Sequence, residues 1–322
     1  MIIVTGAAGF IGSVIAKSLN LDGKKDLLLV DKFTKSAKWK NVVNLNFIDF
    51  VDRDSFLERL ENGDFSGVEL VIHMGACADT TEFDMNYLMH QNYEYSKRLC
   101  LWCLKNNVRF IYASSAAVYG DGTKGFNDNN ELTMELEPLN PYGFSKLLFD
   151  KWLINTGHVD SVVGLRFFNV FGPNEYHKNK MSSIIYRSFP MAKKEGVVRL
   201  FKSYIKNIEH GDQRRDFIYI KDVISVVEFF IKNNNINGIF NVGSGKARSF
   251  NDLAVSLLNA MGKKPVIEFF DMPEEIRNKY QYFTEADISK LIKAGYNKEL
   301  SSLEGAVDDY VQNYLNKENS YY

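Results

Sequence analysis

Residues 2–12 read Ile-Ile-Val-Thr-Gly-Ala-Ala-Gly-Phe-Ile-Gly, a short run of β-forming residues followed by glycines at every third position. An apolar pattern of helical period continues to Leu19, so the stretch predicts a strand, a glycine turn and a helix. The three glycines permit a tight turn, close approach of the backbone to a pyrophosphate, and close packing of the helix on the strand. Phosphates would rest on the first amides of that helix. The residues expected to hold them are Gly6, Gly9, Phe10, Ile11 and Gly12.

A second apolar run, Leu27 to Val30, ends at Asp31, about 20 residues after Gly12, as the dinucleotide-binding fingerprint requires. The carboxylate would bind the ribose hydroxyls of NAD and repel a 2′-phosphate. Basic side chains lie nearby in the sequence and could neutralise that phosphate: Lys32, Lys35, Lys38 and Arg53. The same residues can equally be solvated surface cations. The sequence therefore leaves the choice between NAD and NADP open.

Further apolar runs predict the remaining strands, and these are Phe47–Asp49, Leu70–His73, Val108–Ala113 and Val162–Phe168. Small residues that suit a strand end beneath a cofactor follow the second of these runs: Gly75, Ala76, Cys77 and Ala78. Ligands bind outside the carboxyl ends of the strands in open α/β sheets, so these residues, the glycine turn and Asp31 should share one edge. We predict an α/β fold with a Rossmann-type doubly wound parallel sheet.

The alternation of strands and helices becomes irregular after Pro173, and polar and basic residues crowd the loops. We therefore assign residues 1–170 to the dinucleotide-binding Rossmann domain, with returning segments at about 216–245. A smaller C-terminal α/β substrate-binding lobe is assigned to residues 171–215 and 246–316. Residues 317–322 are expected to form a disordered tail.

A candidate proton-transfer group lies between Ser114 and Lys146. Asn140 and Pro141 predict a helix start, which places Tyr142 and Lys146 one turn apart on the same face. A phenol has a pKa of about 10, and a neighbouring ammonium favours its ionised form. Ser115 could hydrogen-bond the oxygen that gains or loses the proton. The alternative is that Tyr-x-x-x-Lys is simply a frequent pairing on helix surfaces.

Composition excludes several function classes. The chain of 322 residues has 45% hydrophobic residues and a formal net charge of -1, which provides no general field for nucleic acid or a membrane. No apolar run approaches the ~20 residues of a transmembrane helix, and we expect no signal peptide and a cytoplasmic protein.

Cys100 and Cys103 lie within a predicted helix without further ligands, so we interpret them as buried thiols. His73 is interpreted as a core histidine, and no metal site is expected.

With these residues assembled, the chain resembles the extended short-chain dehydrogenase/reductase superfamily, through Thr5–Gly12, Ser114–Gly120 and Tyr142–Lys146. Over about residues 1–315 it is also similar to the ADP-L-glycero-D-manno-heptose 6-epimerases of lipopolysaccharide synthesis. The stretches that carry this closer resemblance are Thr80–Glu82, Asn92–Lys97, Arg166–Pro173, Glu175–Lys178, Arg215–Phe217 and Tyr280–Thr284.

The resemblance implies inversion at C6 of an ADP-linked heptose, by transient oxidation with tightly bound NADP, or NAD, one per subunit. Inversion requires proton transfer on both faces, and Lys178 matches the family's second acid/base beside Tyr142, Lys146 and Ser115. Positions matching family cofactor contacts also include Asn92, Val170 and Lys178. Those matching substrate contacts are Ser115, Asn169, Lys180, Arg187, Phe201, Arg215 and Tyr280. The family further implies a homo-oligomer, often a pentamer.

Some alternatives stay open. Lys180 lies two residues from Lys178, so either lysine could be the second base, and a loop lysine could instead meet the substrate diphosphate. The loop 203–213 is longer than in familiar members. A UDP-hexose 4-epimerase would need only Tyr142, whereas a sugar 4,6-dehydratase would need an acid where Ala116 and Ala117 stand. A non-catalytic dinucleotide sensor is the candidate from another class.

Overall fold

The protein is described by a computed structural model that covers residues 1–33, 35–277, 280–318 and 320–322, without the side chains of residues 275 and 276. The strands are β1 (Ile2–Thr5), β2 (Leu27–Asp31), β3 (Asp49–Asp52), β4 (Leu70–His73), β5 (Arg109–Ser115), β6 (Val163–Phe167), β7 (Asn169–Phe171), β8 (Val198–Phe201), β9 (Arg214–Tyr219), β10 (Gly238–Val242), β11 (Ala247–Ser249) and β12 (Ile267–Phe270). The helices are α1 (Phe10–Leu21), α2 (Arg53–Glu61), α3 (Met85–Leu88), α4 (Tyr95–Lys105), α5 (Asn130–Glu135), α6 (Pro141–Asn155), α7 (Ile184–Glu195), α8 (Ile220–Lys232), α9 (Phe250–Ala260), α10 (Glu274–Arg277), α11 (Ser289–Lys293) and α12 (Leu303–Tyr310).

The central sheet has seven parallel strands in the order β10-β6-β5-β4-β1-β2-β3. The strand order reverses between β1 and β4, because β2 and β3 extend the sheet on one side and β5 and β6 on the other. A switch point of this kind leaves a crevice at the carboxyl ends of the strands, where α/β folds bind their ligands. The predicted Rossmann-type sheet is confirmed.

Hydrophobic burial joins the sheet to the smaller sheets that follow it. Strands β11, β9 and β7 form a three-stranded sheet, and β12 pairs with β8. One continuous buried cluster contains Val4 of β1, Val227 of α8, Leu200 of β8 and Leu257 of α9. The segment assigned to the lobe therefore shares its core with one face of the central sheet, while the opposite face packs a second cluster around Phe110.

One local feature differs from the sequence-based expectation. The third strand occupies Asp49–Asp52 rather than Phe47–Asp49, because pairing with β2 begins at Leu28 opposite Asp49. Within the segment expected to form the tail, the amide of Tyr322 donates to Asn174 Oδ1 at 2.9 Å. No helix in the described ranges is long and apolar enough to cross a membrane.

A buried ion pair supports the carboxyl end of β5. Arg166 and Asp150 are fully buried, and Nε of the arginine lies 3.0 Å from Oδ2 of the carboxylate. Asp150 also accepts hydrogen bonds from Tyr112 at 2.8 Å and Ser114 at 2.9 Å, while Arg166 donates to Tyr119 at 3.0 Å. The network links β5, β6 and α6, and therefore fixes the residue directly before Ser115.

Removal of one partner of the Arg166–Asp150 ion pair should leave the other as an uncompensated buried charge, which costs about 3–5 kcal/mol. We therefore expect Arg166→Ala to lower the free energy of unfolding in urea by about that amount. Arg98→Ala serves as the control, since Arg98 pairs with Glu61 at an exposed site and such pairs contribute about 0–1 kcal/mol. Equal losses in the two variants would contradict a structural role for the buried pair.

Candidate active site

Two adjoining cavities follow the carboxyl ends of the central strands. One, of about 630 Å³, extends from the glycine turn to Asp31, Lys38 and Arg53. The other, of about 430 Å³, contains Ser115, Tyr142 and many lobe residues. Both cavities are lined by Phe10, Ile11, Met74, Ala76, Ala78, Ala113 and Lys178. A long ligand can therefore run from the first cavity into the second.

The glycine turn brings three backbone segments together. Gly6 has a φ of +65°, and a Cβ there would lie 2.7 Å from the amide nitrogen of Gly75. A Cβ at Gly12 would lie 2.2 Å from the carbonyl oxygen of Gly6. Gly9 occupies the N-cap of α1 without a capping side chain, so the first helical amides remain available to an anion. This cradle fits the pyrophosphate of a dinucleotide.

Asp31 is already engaged in this structure. Its carboxylate accepts hydrogen bonds from the amide of Ala8 at 2.8 Å and from Lys38 Nζ at 2.5 Å. The other predicted basic residues are placed differently: Arg53 pairs with Asp54 at 3.0 Å, and Lys32 contacts the same carboxylate. Lys38 and Arg53 both line the first cavity. The ammonium of Lys38 therefore lies beside the carboxylate of Asp31. From the sequence alone, that carboxylate would be expected to repel a 2′-phosphate.

Asn92 fixes the loop of small residues rather than lining a cavity. Its side chain accepts a hydrogen bond from the amide of Cys77 at 2.8 Å and donates to the Cys77 carbonyl at 3.0 Å. It also donates to Ser145 Oγ at 3.0 Å, which links the loop to α6, the helix of Tyr142 and Lys146. His73 lies between Thr5 at 2.6 Å and a serine of α4, and burial lowers its pKa to about 3. Gly75, Ala76 and Ala78 line the first cavity.

The helix that carries Tyr142 and Lys146 begins as predicted. Asn140 Oδ1 accepts a hydrogen bond from the amide of Gly143 at 2.8 Å, and Pro141 occupies the first turn. Tyr142 and Lys146 are buried and line the second cavity together with Ser115. The sequence prediction of a proton-transfer trio therefore describes side chains that the fold brings together.

The electrostatics of the trio differ from the expectation that Lys146 lowers the pKa of the phenol. Burial raises the pKa of Tyr142, and the hydrogen bond with Ser115 opposes that rise. Lys146 Nζ donates to the carbonyl of Ala113 at 2.9 Å, and burial lowers its own pKa to about 8. The ammonium is thus held by β5 and remains mostly protonated at neutral pH. In the protein alone, desolvation outweighs the stabilisation of a phenolate.

Lys178 and Lys180 point in different directions. Lys178 lines both cavities, and its Nζ lies 5.4 Å from the centroid of the Phe10 ring. Lys180 is exposed and lines neither cavity. Asn179, with a φ of 49°, separates the two side chains by a kink. Burial lowers the pKa of Lys178, while Glu175 opposes that shift. The geometry therefore favours Lys178 over Lys180 for contact with a ligand.

The lobe side of the second cavity contains the remaining predicted residues, with one exception. Asn169, Val170, Arg187, Phe201 and Tyr280 line it. Arg215 is buried directly behind Tyr280, at 5.1 Å from the centroid of that ring. No described carboxylate forms an ion pair with Arg215, and burial lowers its pKa. Nearby Asp216 accepts its hydrogen bonds from Ser244, Gly245 and Ala286 instead. Arg215 therefore forms no ion pair with its neighbour Asp216.

Sequence reasoning assigned no role to several residues at the site. Gln213 is 1% exposed and lines the second cavity, as do Met181 and Phe217. Glu175 is fully buried and holds the loop of Lys178, accepting hydrogen bonds from Ser183. The Glu-x-His-Lys pattern could have identified the glutamate, whereas no spacing rule indicates Gln213. In the described parts of the chain, no group of three or more His, Cys, Asp and Glu side chains could hold a metal ion.

The sequence of this chain is similar to those of known proteins. Residues 2–243 match the NAD dependent epimerase/dehydratase family. An ADP-L-glycero-D-manno-heptose-6-epimerase of Nitratidesulfovibrio vulgaris is 49% identical over 316 residues, which is 98% of this chain and 98% of that protein. A protein of the same name from Fusobacterium nucleatum is 47% identical over 333 residues, with 100% of both chains covered.

Solved structures extend the comparison to three dimensions. The crystal structure of the Helicobacter pylori ADP-L-glycero-D-manno-heptose-6-epimerase superposes with a TM-score of 0.80 at 31% identity, covering 97% of this chain and 95% of that one. A Bacillus cereus UDP-glucuronic acid 4-epimerase in complex with NAD gives a TM-score of 0.75 at 26% identity, covering 98% and 99%. The heptose epimerase is thus more similar in both sequence and structure than this 4-epimerase.

Proposed function

This chain belongs to the NAD dependent epimerase/dehydratase family and, within it, to the ADP-L-glycero-D-manno-heptose-6-epimerases, and from this we propose how it acts. It interconverts ADP-D-glycero-β-D-manno-heptose and ADP-L-glycero-β-D-manno-heptose by inversion at C6. The observation that carries the proposal is the second cavity, in which Tyr142 and Lys178 line the same space. A bound nicotinamide dinucleotide supplies the hydride acceptor and then the hydride donor, so that C6 passes through a ketone.

The residues of the chain supply the proton transfers. Tyr142 takes the proton of the C6 hydroxyl on one face, and Ser115 hydrogen-bonds the oxygen while the substrate reacts. Lys146 keeps a positive charge one helical turn away, which favours the phenolate against the effect of burial. Lys178 serves the opposite face, because inversion requires a proton donor and acceptor on each side of the carbon. Burial lowers the pKa of Lys178, which eases the release of its proton.

Positioning of the substrate falls to the lobe. A diphosphate placed near the buried Arg215 would provide the counterion that no described carboxylate supplies, and a guanidinium binds such oxygens in pairs. Arg187 lines the same cavity, and burial lowers its pKa. Asn169, Phe201 and Tyr280 complete the walls around the sugar. Lys180, which is exposed, contacts substrate only if the loop moves.

The reaction is tested with purified protein and ADP-D-glycero-β-D-manno-heptose, following the C6 configuration by NMR. We expect an equilibrium mixture of both epimers without net reduction of cofactor. UDP-glucose and UDP-glucuronic acid are the comparison substrates, because 4-epimerases share the fold. Turnover of a UDP-hexose without turnover of the ADP-heptose would contradict the proposal.

We propose that NADP is preferred over NAD, with one molecule bound tightly per subunit. The support is the ion pair between Asp31 and Lys38, since a neutralised carboxylate no longer repels a 2′-phosphate. Gly6 to Gly12 hold the pyrophosphate, and Asp31 and Lys38 contact the adenosine ribose. Arg53, which lines the same cavity, adds a second positive charge.

Lys38→Ala should shift the preference towards NAD. A hydrogen bond to a charged group contributes about 1.5–3 kcal/mol, which corresponds to about 10- to 100-fold in affinity. We therefore expect the ratio of the Kd for NADP to that for NAD to rise by about that factor. Lys40→Ala is the matched control, because Lys40 is exposed and lines neither cavity. Tighter binding of NAD than of NADP by the unaltered protein would contradict the assignment.

The assembly state is also a proposal. We propose a homo-oligomer, a pentamer by the family resemblance, and a cytoplasmic location. Light scattering coupled to size exclusion measures the mass directly, against the 36.9 kDa of one chain. A species of a single chain at micromolar concentration would contradict the oligomer.

A further inference from the structure

The loop of residues 174–178 carries Lys178, and contacts with residues distant in the sequence hold its shape. Asn174 has a φ of 75°, a conformation that requires support from its surroundings. Glu175 accepts hydrogen bonds from Ser183 Oγ at 2.7 Å and from Tyr310 Oη at 3.1 Å. The amide of Lys178 donates to the Glu175 carbonyl at 3.0 Å. The direction of the Lys178 side chain therefore follows from how this loop is held.

Residues 320–322 also contact the loop of residues 174–178. Tyr176 donates its hydroxyl proton to the carbonyl of Ser320, and its ring lies 5.2 Å from that of Tyr321 in an edge-on arrangement. The amide of Tyr322 donates to Asn174 Oδ1 at 2.9 Å. The loop thus has three separate contacts with a segment that lies more than 140 residues away in the sequence.

The same terminal segment is fixed to the body of the protein. The ring of Tyr322 stacks on Tyr314 at 6.3 Å, and the ammonium of Lys221 in α8 lies 6.0 Å from the Tyr322 ring. On the other side of the loop, Asn174 Nδ2 donates to Ser13 of α1 at 3.0 Å. The loop therefore contacts α1 on one side and residues 320–322 on the other. The first turn of α1 lines the first cavity.

We propose that residues 320–322 position Lys178 for proton transfer, acting through Asn174 and Tyr176. This inference rests on the proposed function, in which Lys178 is the acid/base on one face of C6. Residues 320–322 and Tyr176 are positioning residues, since none of them lines either cavity. A displacement of about 1 Å at a reacting group can cost on the order of 100-fold in rate. Loss of the terminal contacts should therefore affect one face of the reaction and leave the other almost unchanged.

The test uses the whole protein and a variant that ends at residue 318. Single-turnover formation of reduced cofactor is followed at 340 nm with each of the two ADP-heptose epimers, because each presents its C6 hydroxyl to a different base. For the shortened protein we expect oxidation of one epimer to slow about 10- to 100-fold, and oxidation of the other to change less than about 2-fold. KM should change less than about 3-fold.

A second variant keeps the chain intact. Tyr176→Phe removes only the hydroxyl that donates to Ser320, and it should slow oxidation of the same epimer by about 3- to 10-fold. Tyr296→Phe is the matched control, because its hydroxyl bonds Ser225 far from the loop, at 3.0 Å. Its rates with both epimers should equal those of the unaltered protein.

Two outcomes would overturn the proposal. Equal slowing with both epimers would indicate a general loss of structure, and unchanged rates with both would show that the terminal contacts do not matter. The variant Lys178→Met distinguishes a failure of the positioning proposal from a failure of the proposed function. If Lys178→Met oxidises both epimers normally, the role of Lys178 is wrong; if it is impaired with one epimer while the shortened protein is normal, only the positioning proposal is wrong.

Discussion

Tyr142→Phe is expected to lower kcat for the conversion of ADP-heptose by about 10²- to 10⁴-fold, the range that a positioned general base contributes. The substitution removes one oxygen atom from a buried site next to Ser115 and leaves the ring in place. Binding of the dinucleotide should change little, because Lys146 remains bonded to the carbonyl of Ala113. The loss is measured as initial rates by NMR, beside the cofactor Kd by fluorescence titration.

Tyr296→Phe again provides the control for loss of a tyrosine hydroxyl, and we expect it to retain full activity. Comparable Tm values for the two variants would show that Tyr142→Phe loses activity without unfolding. Retention of more than about a tenth of the activity by Tyr142→Phe would contradict the assignment of Tyr142 as the acid/base of one face. Loss of cofactor binding in parallel with activity would contradict it equally.

Lys178→Met is expected to lower kcat for epimerisation by about 10²- to 10³-fold, because one face of C6 loses its proton donor and acceptor. Methionine keeps most of the length and volume of the side chain, so the contact with the Phe10 ring can persist. The single-turnover oxidation of one epimer should survive, since Tyr142 still serves it. The effect is therefore selective in a way that a packing defect is not.

Lys180→Met is the matched control, two residues away and exposed. We expect less than about a 2-fold change in kcat for that variant. A reversal of the pattern, with Lys180→Met inactive and Lys178→Met active, would show that the loop adopts another arrangement during the reaction. Equal losses in both variants would point to charge near the diphosphate rather than proton transfer.

The convergence of the candidate cofactor residues on one cavity could be predicted because it depends on local sequence. The glycine turn and the small residues 75–78 each follow a strand, Asp31 is the last residue of β2, and parallel strands bring their carboxyl ends to one edge. Tyr142 and Lys146 could be placed together because a helix fixes the geometry of residues four apart. The cap formed by Asn140 confirmed where that helix begins.

Other features depended on contacts between distant residues, which spacing cannot reveal. The direction of Lys178 relative to Lys180 is set by the kink at Asn179, whose φ of 49° no sequence rule required. The neutralisation of Asp31 by Lys38 selects one lysine among several neighbours. The raised pKa of Tyr142 reflects the depth of its burial, which the helix pattern alone does not report.

The central claim is that C6 is inverted through a ketone, with hydride removed and returned by the bound dinucleotide. The most direct measurement is the epimerisation of ADP-D-glycero-β-D-manno-heptose in D₂O, followed by NMR at C6. We predict conversion to the L-glycero epimer with protium retained at C6, because the hydrogen never exchanges with solvent. Conversion with deuterium incorporated at C6 would instead show that a proton, not a hydride, leaves that carbon, and would contradict the account.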